Sequence, residues 1–243
     1  MNQFQTICYL NPTEFEKSSL GGGIKVSEQT TKNLIKKMFE KQDELNIYTN
    51  GSDWRNNKDL KWYRAIWTEC AELIDYTNWK WWRKEEIKLK DIEMELIDIW
   101  HFLMSDLMVN NSIDLCTENI FYKFKNGFET FPEVNMNRIR EYTEELARES
   151  LTSHKSMVHK FMMLCGATGP QMNISGIYKL YMGKNVLNKF RQDHGYKQQT
   201  YQKIWNGKED NYYLLKFLDE IEKIGEDFEK VIYDRLQEKY KKL

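Results

Sequence analysis

Chain breakers are scarce in this protein. Three prolines and twelve glycines punctuate 243 residues, which favours long helices over a turn-rich β architecture. No segment alternates apolar and polar residues convincingly, so strands are not expected. No apolar stretch approaches the roughly 18 residues that a membrane-spanning helix requires. The N-terminus, Met1-Asn-Gln-Phe-Gln-Thr6, lacks a basic region followed by an apolar run, so no secretory signal is expected. Cys8, Cys70, Cys116 and Cys165 form no CxxC or other zinc spacing. Nothing about them implies disulfides, and a reducing cytoplasm is the default location. The run Gly21-Gly-Gly23 is followed by Ile24-Lys25, so it is not a P-loop. A formal net charge of −1 gives no electrostatic case for a nucleic-acid or anionic-membrane partner.

What remains is a soluble globular composition, 41% hydrophobic and 30% charged, with helical periodicity through most of its length. The expected fold class is all-α. Residues 1–28 read as a poorly defined N-terminal extension, and 29–243 as one helical domain with a variable middle segment, 111–170. Helices are expected from Ser27 or Thr30 to about Ile47, over 60–77, and over 88–110. Residues 111–133 read as loop mixed with short apolar runs. Further helices are expected over 135–150, from a Thr152 or Ser153 cap to Cys165 with Gly166 just past its end, and over 176–192 after a Ser175 cap. A polar loop, 196–211, precedes two terminal helices, 211–223 and 226–241. Eight tryptophans and fourteen tyrosines suit a core, an interface or a base-stacking pocket.

Two acidic pairs carry the chemistry, Glu69-Cys-Ala-Glu72 and Glu95-Leu-Ile-Asp98. At i, i+3 each pair projects from one helix face. Such a pair is ordinarily part of a solvated face. Here Glu69 and Glu72 share a strip with Ala65 and Tyr76, and Glu95 and Asp98 share one with Phe102. Apolar bracketing on two strips points to a partly buried cleft. Four carboxylates gathered there would repel unless cations lay between them. Hard divalent cations fit oxygen ligands, and Mg²⁺ bound by a few carboxylates usually also binds substrate phosphates.

A second constellation follows residue 180. Lys184, Asn188 and Arg191 lie at i, i+4, i+7 on one helix face, and cations beside an amide make a cradle for phosphate oxygens. The following loop adds Tyr196, Lys197, Lys203, Asn206, Lys208 and Asn211. With little apolar content, that loop is expected to be mobile until ligand bridges it to the acidic helices. On its own the stretch is an ordinary charged face; beside the carboxylates it describes phosphoryl chemistry. Gln42 and Asn46, at i, i+4, could read a base edge or a sugar, though solvated polar residues are the commoner case. Two other classes stay open. Asp98-Ile-Trp-His101 superficially matches half of a di-iron carboxylate motif, and a non-catalytic helical scaffold would also fit the composition.

Taken in order, these residues resemble the dimeric dUTPases, within the all-α nucleoside triphosphate pyrophosphatases. The resemblance runs from about residue 33 to the C-terminus and is weak over 111–170. It rests on Gln42…Asn46, Glu69-Cys-Ala-Glu-Leu-Ile-Asp75, Trp79-Lys-Trp-Trp82, Glu95-Leu-Ile-Asp-Ile-Trp-His-Phe102, Gly183-Lys-Asn-Val-Leu-Asn-Lys-Phe-Arg191, Gly195-Tyr-Lys197 and Trp205-Asn-Gly-Lys-Glu-Asp-Asn211. It looks closest to the epsilon-proteobacterial type. The resemblance implies hydrolysis of dUTP, and of dUDP, to dUMP by a cytoplasmic homodimer. It implies that Glu69, Glu72, Glu95 and Asp98 hold two or more Mg²⁺ ions per active site, with Glu69 or Glu72 acting on the attacking water. Gln42, Asn46, Trp82, His101, Phe102 and Asn188 fall where the family recognises uracil and deoxyribose. Lys184, Arg191, Tyr196, Lys203, Lys208 and Asn211 fall where it holds phosphates. A related pyrophosphatase acting on another nucleotide is the nearest alternative.

Overall fold

The computed structural model describes residues 27–125, 131–221 and 224–242. Nearly all of the expected N-terminal extension, with Cys8 and the triple glycine, lies outside them. Among the described residues there are nine α-helices and one two-stranded sheet, an all-α protein. They are α1 (Glu28–Asn50), α2 (Trp62–Asp75), α3 (Leu89–Met108), α4 (Ile113–Lys125), α5 (Met136–Leu151), α6 (Met157–Thr168), α7 (Ile174–Asp193), α8 (Asp210–Asp219) and α9 (Phe228–Tyr240). The strands are β1 (Ile204–Trp205) and β2 (Lys208–Glu209). The described residues divide into two compact units, one within 32–177 and a second made of 27–31, 178–221 and 224–242.

In the first unit α3 is the central helix. It is buried on nearly every side from Ile92 to Met104, the pattern of a helix enclosed by others. Trp100 lies between Phe161, stacked at 4.9 Å, and the edge of Phe39 at 6.1 Å. Helix α2 presents Ile66, Cys70 and Leu73, at i, i+4, i+7, to this core, and so leaves Glu69 and Glu72 on its flank. Arg140 of α5 donates to the Thr77 carbonyl and hydroxyl just past α2, a cation at a helix C-terminus where the macrodipole favours it. In the second unit an aromatic cluster replaces the aliphatic core. Phe190 meets Trp205 at 6.1 Å and Tyr240 at 5.6 Å, and Tyr201 stacks on Tyr240 at 5.3 Å.

Several local expectations are corrected. Helix α4 replaces the mixture expected in 111–133: Ser112 caps it by accepting from the Leu115 N–H, and Cys116, Ile120 and Phe121 form its buried stripe. Thr152 and Ser153 do not start α6. Their hydroxyls donate back to Arg148 O and Glu149 Oε2, closing α5, and the turn passes through His154 at φ 59°. Gly166 lies inside α6, and Gly169, at φ 115°, ends it. Asn173 caps α7 in place of Ser175, accepting from the N–H groups of Ser175 and Gly176. The 196–211 loop contains a hairpin in register Ile204↔Glu209. Its turn, Asn206-Gly207, has φ 47° and 77°, both positive as a two-residue primed turn requires.

The start of α7 is fixed by contact as well as by its cap. A Cβ on Gly176 would lie 1.8 Å from the Gln171 carbonyl oxygen, and that backbone belongs to the turn Pro170–Met172. Gly176→Ala is expected to cost at least ~1 kcal/mol by overpacking, read as a lower urea midpoint at unchanged slope. An unchanged midpoint would show that the turn yields freely.

Candidate active site

Helices α2 and α3 bring Glu69, Glu95 and Asp98 together. One oxygen from each lies within 4.8 Å of the others, with Glu95 buried and its companions half-buried. At such distances two charges repel by roughly 3–4 kcal/mol at an effective dielectric near 20. Burial, then the Asp98 charge, then a hydrogen bond with Glu95 and the charges of Glu95 and Glu72 push Glu69 from 4.5 up to about 9. All-oxygen donors, convergent and mutually repelling, are the set a hard divalent cation offsets. Glu72 is more exposed and stands beside this cluster, not in it. The cluster contains no histidine. His101 is buried, pairs through Nδ1 with Ile97 O at 2.8 Å, and is not part of the carboxylate cluster.

Further along α3 lies a polar group on the same strip. Gln42 and Asn46 of α1 are buried, against the sequence expectation of solvated residues. Gln42 Nε2 donates to Asn46 Oδ1 and to Ser105 Oγ, each at 3.1 Å, and Asn46 Nδ2 donates to Ser105 Oγ at 3.0 Å. Sequence reading passed over Ser105. The signal was its spacing, since Asp98, Phe102 and Ser105 continue one helical stripe at i, i+4, i+7. Phe102 packs on Trp62 at 6.3 Å. Trp82 is largely exposed, in edge contact with Trp79 at 5.2 Å and Trp81 at 5.4 Å.

The cationic constellation lies in the second unit and is more deeply set than a charged helix face. Lys184 and Arg191 are both buried. Lys184 Nζ donates to Asn211 Oδ1 at 2.9 Å. Arg191 donates through Nε and Nη2 to both oxygens of Asp210 at 2.8 Å, and through Nη1 to Asn188 Oδ1 at 3.2 Å. Asp210, fully buried, also accepts from the Tyr201 hydroxyl at 2.9 Å. Burial acts to raise its carboxyl, yet the Arg191 bonds and charge, with Tyr201, hold it below the ordinary value. Sequence reading missed Asp210, although it stood within a quoted motif. Arg191 also lies over the Tyr196 ring at 5.8 Å. Lys203 pairs with Glu209 at 3.0 Å, and Lys208 lies 5.6 Å from the Tyr212 ring centre. Within the 196–211 segment Trp205 is completely buried, Tyr201 stacks on Tyr240, and Asp210 is tied to Arg191 and Tyr201.

These features define an all-α protein with an acidic cluster suited to a hard divalent cation and with separate amide and cation clusters. The family model of dUTPase matches residues 34–196, more than half of the chain, and the chain belongs to that family, in its all-α branch. It is therefore an enzyme, a dUTP diphosphatase, acting on a nucleotide. No curated protein matches it. Among the described residues no helix is long and apolar enough to cross a membrane.

The carboxylate cluster makes stability depend on pH. Glu69 holds its proton up to about 9 in the fold, against 4.5 ordinarily. The fold therefore binds more protons than the unfolded chain across that window and loses stability as pH rises through it. A divalent cation competes for the same oxygens and binds better as protons leave. In a chelator the melting temperature is expected to fall between pH 5 and pH 9, and a stabilisation on adding a divalent cation is expected to grow over the same range. A divalent-cation shift that is flat with pH would show that the ion does not bind this cluster.

Proposed function

We propose that the enzyme hydrolyses dUTP to dUMP and pyrophosphate, and dUDP to dUMP and phosphate, in a Mg²⁺-dependent reaction by attack of water at the β-phosphorus. The observation that carries the reading is the convergence of Glu69, Glu95 and Asp98 within 4.8 Å, on helices inside the family match. In this reading Glu69, Glu72, Glu95 and Asp98 hold two or more Mg²⁺ ions. Bound there, Mg²⁺ supplies charge neutralisation for the triphosphate and a lowered pKa for water. A carboxylate of the Glu69/Glu72 pair takes the proton of the attacking water. The new bond forms between the water oxygen and the β-phosphorus. The bond from that phosphorus to the bridging oxygen breaks, and the oxygen leaves with dUMP.

The remaining assignments divide by chemistry. Gln42, Asn46, Trp82, His101, Phe102 and Asn188 recognise base and sugar, with Phe102 occupying the space a 2′-hydroxyl would need. Lys184, Arg191, Tyr196, Lys203, Lys208 and Asn211 hold phosphates and offset charge that develops on them. The buried free thiols of Cys70, Cys116 and Cys165 support a cytoplasmic location. Exposed aromatics, with Trp81 88% and Trp82 58% accessible, support a homodimer.

The test is pyrophosphate release from a panel of deoxynucleoside triphosphates with Mg²⁺ and with EDTA. Turnover should be confined to dUTP and abolished by EDTA. Equal turnover of dUTP, dCTP and dTTP would sink the specificity, and full activity in EDTA would sink the metal. Glu69→Gln, Glu72→Gln and Asp98→Asn should each keep the fold and lose at least ~10²-fold in turnover; wild-type kinetics in any two would refute the site as drawn. Light scattering at micromolar concentration should give twice the chain mass, and a monomer there would refute the homodimer.

A further inference from the structure

Phe102 is the outer member of an aromatic stack that runs back into the first unit. Its ring lies against Trp62, the first residue of α2, at 6.3 Å and 32°. Trp62 in turn meets Trp54 at 5.8 Å, nearly perpendicular at 87°. Trp54 is the fixed end of the stack. It sits on the short turn Trp54–Asn56 between α1 and α2 and is 1% exposed. Its Nε1–H donates to Asp43 Oδ1 at 3.0 Å. The Arg55 guanidinium lies 5.3 Å from the Trp54 ring centre and donates through Nη2 to the same Asp43 oxygen at 3.0 Å. A buried indole so held cannot turn without giving up its hydrogen bond. Trp62 stands seven residues before Glu69 on α2, and Phe102 four residues after Asp98 on α3, spacings that keep each ring on its carboxylate's strip. The Trp62–Phe102 pair is therefore the layer of the α2–α3 interface next to the carboxylates, about 6 Å from Asp98 along α3 and about 10 Å from Glu69 along α2. Both rings are half-buried, so this layer is open to solvent in part.

We propose that Trp62 is a specificity-determining positioning residue for the sugar, backing Phe102 so that its ring does not yield to a 2′-hydroxyl and ribonucleotides are rejected. This rests on the reading that Phe102 occupies the space of that hydroxyl. A steric barrier excludes only as far as it fails to move. A half-buried phenylalanine with nothing behind it would turn about its side-chain bonds and admit one more oxygen. With the Trp62 indole against it, and Trp54 locked behind the indole, the same motion runs into a packed wall. Overpacking is unfavourable where the surroundings cannot relax. Apolar contact rejects an added hydroxyl by only about 10²-fold even in a well-formed pocket, so the discrimination that Phe102 achieves depends on its support. The stack acts on the sugar and carries no group that reads the base.

That last point supplies the control. In Trp62→Leu the flat support is lost and Phe102 can give way. The ratio of kcat/KM for UTP to that for dUTP should rise at least ~10-fold, while the dCTP to dUTP ratio stays within about twofold of its wild-type value. Trp62→Phe keeps a ring of smaller size, so the UTP ratio should rise less but in the same direction; that variant carries the test if the leucine variant does not fold. A parallel rise for dCTP would overturn the proposal, since a general loosening of the pocket would then explain both. Phe102→Ala separates the underlying reading. A UTP ratio raised by Phe102→Ala but unmoved by either Trp62 variant would mean that Trp62 does not support the ring, and the proposal is overturned with the reading of Phe102 intact. A UTP ratio unmoved by Phe102→Ala would mean that Phe102 does not exclude the hydroxyl, and the reading falls together with the proposal.

Discussion

Three carboxylate oxygens held within 4.8 Å of one another store repulsion that the surrounding helices must withstand. Glu95 and Asp98 are fixed because α3 is enclosed along its length, with Trp100 locked between Phe39 and Phe161. Glu69 is fixed because Ile66, Cys70 and Leu73 bind α2 to that core and Arg140 holds the chain at its far end. The apolar packing is therefore what keeps the acidic groups from separating. The consequence is a Glu69 carboxyl that prefers to keep a proton until a cation replaces it.

The second unit faces the opposite electrostatic problem. Lys184 and Arg191 are buried cations, and burial without a partner would be costly. Asp210 answers it with a bidentate pair to Arg191 and a third bond from Tyr201, while Asn211 accepts from Lys184. An Arg held on two edges is fixed in direction. The aromatic cluster around Phe190 and Tyr240 then does for the 196–211 segment what the aliphatic core does for α2 and α3. Seen from the sequence, Tyr201 and Trp205 were too few apolar groups to anchor a loop. Helix α9 brings Tyr240 against both of them.

Legibility varied with the range of the interaction involved. Helices α1, α2, α3, α5, α7, α8 and α9 could be read from periodicity, because an apolar stripe repeats every three or four residues whatever it packs against. Helix α4 was lost because its stripe, Cys116, Ile120 and Phe121, is short and its flanks are polar. The ends of α6 were misplaced because Thr152 and Ser153 can serve either as caps for a following helix or as closers of a preceding one. Only the arrangement of α5 decides between them. The hairpin carried a local signal, Asn206-Gly207, that two-residue strands could not reinforce.

The sequence alone determined the all-α class and the pairing of carboxylates on one face of each helix, which depend on spacing within a single element, and the family, which depends on the order of motifs along the chain. What only the tertiary structure decided was which of those groups meet across elements. It placed Glu95 with Glu69 and Asp98 and left Glu72 to one side. It turned Gln42 and Asn46 inward onto Ser105, and it gave Arg191 to Asp210. Each of these depends on a desolvated contact between residues far apart in the chain. Burial and partner choice are set by packing geometry, which spacing along one helix does not encode.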